Sequence, residues 1–155
     1  MGYNVADIIE KAVKITMRRR TIYEKIGQEK CDILSIKVIS KVLVKQIDKT
    51  IEYYQTLLDE INDTEFEEID FSIYDKMSSL ISDFNNRISV AEVTNVREFL
   101  NFSLDMEKAV YSLLIDIQGR FVKNASDIHT NTYRILTDII SNKAQHIEML
   151  VQVLG

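Results

Sequence analysis

The chain has 155 residues, 46% of them hydrophobic and 28% charged, a balance that fits one globular domain and excludes a disordered chain. It contains no proline and only four glycines, too few for the turn every ten residues or so that an all-β fold requires. A net charge of −5 argues against a nucleic-acid partner, which needs clustered Lys and Arg.

Four long segments carry helical periodicity. In the first, apolar side chains fall at Val5, Ile8, Ile9, Ala12 and Val13, then at Ile22, Tyr23 and Ile26, and Gly27 stands where a C-cap is expected. The second runs from about Asp32 to Ile61, with Ile36, Ile39, Leu43, Ile47, Tyr54, Leu57, Leu58 and Ile61 along one side. A connection from Asn62 to Thr94 follows. It opens with the acidic run Asp63 to Asp70 and is expected to contain a short helix from Phe71 to Phe84. The third long segment carries Val96, Phe99, Leu100, Ser103, Val110, Leu114 and Ile117. Asp127 or the adjacent Ser126 is placed to cap the fourth, whose stripe is Leu136, Ile139, Ile140, Ile147, Leu150, Val151 and Leu154.

The other two connections are short, so the helices are expected to form two antiparallel hairpins joined by a long crossover. The expectation is a single all-α domain over residues 1–155, an antiparallel four-helix bundle. The hairpins also resemble each other. A shift of 91 positions pairs Val5 with Val96 and Ile26 with Ile117, and a shift of 96 pairs Leu43 with Ile139 and Leu58 with Leu154. Such alignment suggests an internal repeat, although amphipathic helices also align by chance.

Two charged residues interrupt the apolar stripes. Glu107 lies on the line Leu100, Ser103, Val110, Leu114, and Lys143 on the line Leu136, Ile139, Ile140, Ile147. His146 follows Lys143 by three residues and shares nearly its face. A buried charge needs a partner, because leaving it isolated costs several kcal/mol or more.

At these positions the chain resembles the rubrerythrin branch of the ferritin-like proteins. Met106-Glu107-Lys108-Ala109 with Leu113-Leu114 is similar to that family's third helix. Ala144-Gln145-His146-Ile147-Glu148 is similar to the end of its Glu-x-x-His segment. Ile22-Tyr23 and Thr50-Ile51-Glu52-Tyr53-Tyr54 match the corresponding parts of helices one and two. The resemblance implies a ferritin-like bundle whose metal ligands are a glutamate from each of two helices and a Glu-x-x-His from each of the others. Carried over, those positions hold Thr16 on the first helix, Ile47 and Thr50 on the second, Glu107 on the third, and Lys143 and His146 on the fourth. Only Glu107 and His146 are ligand-competent, and an ammonium at one corner repels hard cations. No metal cofactor is therefore expected, with iron or manganese at Glu107 and His146 as the alternative.

The replacements suggest their own logic. Lys143 supplies the positive charge that the metals would have brought and pairs with Glu107, while Ile47 fills ligand space. Arg20, one turn beyond Thr16, is the other candidate partner of Glu107. The competing reading has Lys143 snorkelling to solvent and Glu107 at a stripe edge.

The remaining signals have plain readings. Arg18, Arg19 and Arg20 point about 100° apart on a helix, so they read as a solvated face, with Glu24 a surface partner for Arg20. His129 reads as a surface residue, and Cys31 as an inert thiol in a reducing compartment. The acidic run lacks an EF-hand pattern and reads as a solvated linker. Met1 to Ile9 carries Asp7 and no long apolar stretch, so a secretory signal is not expected, and no segment reaches the roughly 20 apolar residues of a membrane span. The expectation is a cytoplasmic, non-catalytic ferritin-like bundle serving in binding or assembly, as a homodimer or with a protein partner. The alternative is a rubrerythrin-like oxidoreductase or peroxidase.

Overall fold

The computed structural model describes residues 2–63, 65–90 and 92–155 and contains five α-helices. They are α1 (Val5–Glu29), α2 (Leu34–Asn62), α3 (Phe71–Arg87), α4 (Val96–Phe121) and α5 (Asn131–Leu154), with a 3₁₀ turn at Ala125–His129 before α5. The main packing partners are α1 with α2 and α4 with α5, so the architecture is an all-α bundle of two helical pairs joined by a crossover. No described helix is long and apolar enough to cross a membrane.

Except for α2, which follows Ile33 without a side-chain cap, each described α-helix begins where its sequence supplies an acceptor for the free N–H groups of the first turn. Asn4 Oδ1 accepts from Ala6 N at 2.8 Å while Asp7 Oδ2 accepts from Asn4 N at 2.9 Å, a reciprocal cap for α1. Asp70 caps α3 through Ser72 N, and Asn95 caps α4 through Glu98 N. The start of α5 differs from expectation. Thr130 is its N-cap, with Oγ1 accepting from Tyr133 N, whereas Asp127 accepts from Lys123 N and Asn124 N to close the preceding 3₁₀ turn. A turn of 3₁₀ helix uses up the acidic cap one element early.

The acidic connection does more than face water. Glu67 accepts from Thr132 N at 2.9 Å, Thr132 Oγ1 at 3.0 Å and Asn131 N at 3.2 Å, adding a second cap to α5 from across the fold. Ile69 N donates to the Tyr3 carbonyl at 2.7 Å, an isolated antiparallel bridge, and the Tyr3 ring stacks on Tyr74 with centroids 3.9 Å apart. Thr64 of this run lies outside the described residues.

Gly27 does not end α1, which continues to Glu29. It is a buried contact glycine instead. A Cβ at Gly27 would run into both Cβ and Oγ of Ser40 on α2, and Ser40 Oγ donates to the Tyr23 carbonyl at 2.8 Å. A glycine opposite a serine lets the two backbones approach closely enough for that bond.

The packing leaves the bundle's two seams unequal. α1 and α4 meet through their side chains, Tyr23 and Arg19 reaching Ser103 and Glu107, and α3 packs against both helices. α2 and α5 are joined by the Arg134–Glu60 ion pair, Nη2 to Oε1 at 3.1 Å, and the crossover helix does not pack on this side as it does on α1 and α4. The C-terminal half of α5 is correspondingly under-packed. Leu136 and Ile139 are buried as the stripe predicts, but Val151 is exposed and Ile140, Ile147, Leu150 and Leu154 are only half-buried.

Candidate functional site: a buried ion triad beside a cavity

Polar and charged side chains enter the core where the stripes of α1, α4 and α5 are interrupted. Arg19 and Lys143 are 2% and 1% exposed and Glu107 is 6% exposed. Arg19 Nη2 contacts Glu107 Oε1, and Lys143 Nζ lies 2.7 Å from Glu107 Oε2. The Lys143 contact is charge to charge, outside hydrogen-bond geometry. Oε2 and Arg19 Nε are therefore buried without a hydrogen-bond partner. One carboxylate thus bridges two cations supplied by different helices.

Lys143 and Glu107 form the pair expected from their stripes, and the snorkelling alternative is excluded by their burial. The second partner needs correction. Arg20 is on the surface, where Nε donates to Asp48 Oδ1 at 2.7 Å and Nη1 contacts Glu24. The interior cation is Arg19. The reading of all three arginines as a solvated face also fails here, for a reason of register. Thr16, Arg19, Tyr23 and Ile26 follow one another at spacings of three and four, and they continue the apolar line of α1. That spacing was the available signal; the run of like charges obscured it.

The other positions behave differently from one another. Ile47 is buried and lines the cavity described below. Thr16 and Thr50 are buried, but each hydroxyl donates to its own helix, at the carbonyls of Ala12 (2.8 Å) and Gln46 (3.2 Å). His146 is half-buried. Burial, then the charges of Lys143 and Arg19, lower its pKa to about 4, so the imidazole is neutral at ordinary pH. Burial and then Arg19 likewise hold the Lys143 amine well below the usual lysine value. Tyr54, buried and near the positive field of Arg19, is pushed up to about 12, chiefly by burial.

Around the triad, Tyr23 Oη lies 3.0 Å from Ser103 Oγ and 3.9 Å from Met106 Sδ. The Arg19 guanidinium lies 5.9 Å from the Tyr23 ring centroid. The expectation that Tyr23 lies near this interior position holds. Next to these groups is a cavity of about 140 Å³ whose wall includes Arg19, Ser103, Glu107 and His146. A larger groove of about 600 Å³ between α3 and α4 carries Arg87, Asp105 and Asp116 at exposed positions, with no buried charge.

The donor set does not suit a pair of hard metal ions. Among the described residues, no three His, Cys, Asp or Glu side chains come together. Near Glu107 the only other ligand type in the cavity wall is the His146 imidazole, and two cations already engage the carboxylate. His129 and Cys31 are exposed.

No family model, curated protein or solved structure matches this chain. The functional reading therefore rests on the residues themselves.

Proposed function

We propose that this chain is a non-catalytic bundle of ferritin-like architecture, in which an Arg–Glu–Lys triad stands where a di-metal site would lie, and that it serves in binding or assembly. The single observation carrying this reading is the engagement of both Glu107 oxygens by cations, Arg19 on one and Lys143 on the other. Two helical pairs with a helix-containing crossover support the architectural part. A homodimer is the proposed assembly, by analogy with ferritin-like bundles.

A second reading has one observation in its favour: Glu107 and His146 line the same cavity. In that reading they hold iron or manganese for rubrerythrin-like oxidoreductase or peroxidase chemistry. It requires both cations to leave the carboxylate before a metal approaches.

Metal analysis of purified protein separates the two. The proposal expects far less than one iron, manganese or zinc ion per chain. Two irons per chain would overturn it. Sedimentation equilibrium reads the assembly state directly.

A further inference from the structure

We propose that the open seam between α2 and α5 is a binding site for a small carboxylic acid with an apolar chain, its carboxylate held at Arg19 and its chain directed toward Val42, Met149 and Val153. The inference goes beyond the reading above and does not depend on whether the bundle is ferritin-like. It rests on the cavity, the seam and the two basic groups that share one carboxylate.

The cavity draws its wall from all four long helices. Arg19 and Tyr23 come from α1, Ile47 from α2, and Ser103 and Glu107 from α4. From α5 come His146, Leu150 and the outward-facing Met149 and Val153. Its charged groups lie at the buried end, at the triad, and the half-buried Gln46 adds a polar group from α2. The rest of its lining is almost wholly aliphatic, and such a wall with a few convergent polar groups is the usual make-up of a small-molecule site. At the outer end Val42 and Met149 are each 54% exposed and Val153 is 66% exposed, so the cavity reaches solvent between apolar side chains. On the opposite side α3 packs against both α1 and α4, whereas it has no comparable packing on α2 and α5.

Charge selects the head group. Arg19 and Lys143 share the single carboxylate of Glu107, so two basic groups have one acidic partner between them. Arg19 meets Glu107 through Nη2, and its buried Nε has no acceptor. A guanidinium offers five N–H groups, and its fork matches a carboxylate. An acid bound there would supply the acceptor that Nε lacks and a second acidic partner for the two basic groups. Size selects the rest. A dry space of roughly 150 Å³ holds about one benzene-sized group, so a longer chain must extend through the mouth over Val42, Met149 and Val153.

The test is calorimetric titration of the full chain with octanoate, octanol, octylammonium and acetate at neutral pH. Octanoate is expected to bind. Octanol and octylammonium should bind at least tenfold more weakly, because they forfeit a charge-assisted hydrogen bond. Acetate should also bind at least tenfold more weakly, because it lacks the buried chain. Val153→Trp, at an exposed position where folding is not at risk, should weaken octanoate at least tenfold by closing the mouth. Equal affinity for octanoate and octanol would overturn the proposal and leave only an apolar groove. Absence of octanoate binding, binding untouched by Val153→Trp, or a dimer sealed through Val42, Met149 and Val153 that octanoate does not displace would each overturn it as well.

Discussion

Lys143 Nζ lies 2.7 Å from Glu107 Oε2 on the neighbouring helix, and the two side chains are only 2% and 8% exposed. Glu107 also holds Arg19, so removing this one carboxylate strands two cations in the core. Glu107→Ala is expected to lower stability by about 3–5 kcal/mol, read from urea denaturation midpoints. A loss below about half a kcal/mol is what an exposed pair would give and would contradict the burial described above.

Replacing the whole triad should act in the opposite sense. Desolvating three ionised groups offsets much of their mutual attraction, and well-packed apolar residues of similar volume avoid that penalty. The triple variant Arg19→Met, Glu107→Leu, Lys143→Met is expected to match the parent or exceed it by about 1–4 kcal/mol. A triple variant as unstable as Glu107→Ala would mean that the ion cluster contributes net stability. The same variant should no longer distinguish octanoate from octanol.

The bundle and most of its interior are legible in the amino-acid order, because period and composition constrain long helices strongly. The α3 face expected from spacing, Ile73, Met77, Leu80, Ile81 and Phe84, is buried except at Leu80, which is half-buried. The Glu107–Lys143 contact follows from two stripes that each contain one charge out of place. Arg19 was obscured because three consecutive arginines look alike when only charge is read, and their separate burial depends on a register that Thr16 and Tyr23 define. Gly27 was misread because a glycine near a helix end satisfies two different physical needs. Only the position of Ser40 on another helix decides between a C-cap and a close approach. The role of Glu67 depends on tertiary neighbours and carries no local signal, whereas Thr130 is a local cap in a stretch where Ser126 and Asp127 offer the same chemistry.

Gly27 and Gly119 should answer the same substitution with opposite signs. At Gly27 an added methyl meets Ser40 and displaces its bond to the Tyr23 carbonyl. Overpacking of about 1–3 kcal/mol and a lost hydrogen bond of about 1 kcal/mol exceed the gain of about 1 kcal/mol in helix propensity. Gly27→Ala is thus expected to cost about 1–3 kcal/mol, and adding Ser40→Gly should recover part of it. At Gly119, where an added Cβ meets nothing within 4 Å, Gly119→Ala should stabilise by up to about 1 kcal/mol. Thermal or urea unfolding of the two single variants checks the contrast.

Acidification should weaken the fold partly through His146. Its folded pKa is lowered from 6.5 to about 4, so below 6.5 the unfolded chain takes up a proton that the folded chain refuses. The contribution is complete above 6.5 and is lost as pH falls toward about 4. Because the ring is partly open to water, the loss is on the order of 1 kcal/mol rather than the full value of the shift. His146→Gln should reduce the slope of unfolding free energy against pH in this window. An unchanged slope would assign the acid sensitivity to other groups. Lys143 acts with the same sign at alkaline pH. Its lowered pKa makes stability rise with pH up to the ordinary lysine value of 10.5.

Glu67 ties the acidic connection to the first turn of α5 at Asn131 and Thr132, and Ile69, two residues on, ties it to Tyr3. The chain's beginning, its middle and its last helix are thereby fastened at one end of the molecule. A fragment comprising α4 and α5 alone would lack the clasp at the start of its second helix. Thr130 would still cap that helix, so the crossover's share in the second hairpin is one added acceptor, lent from outside it by Glu67.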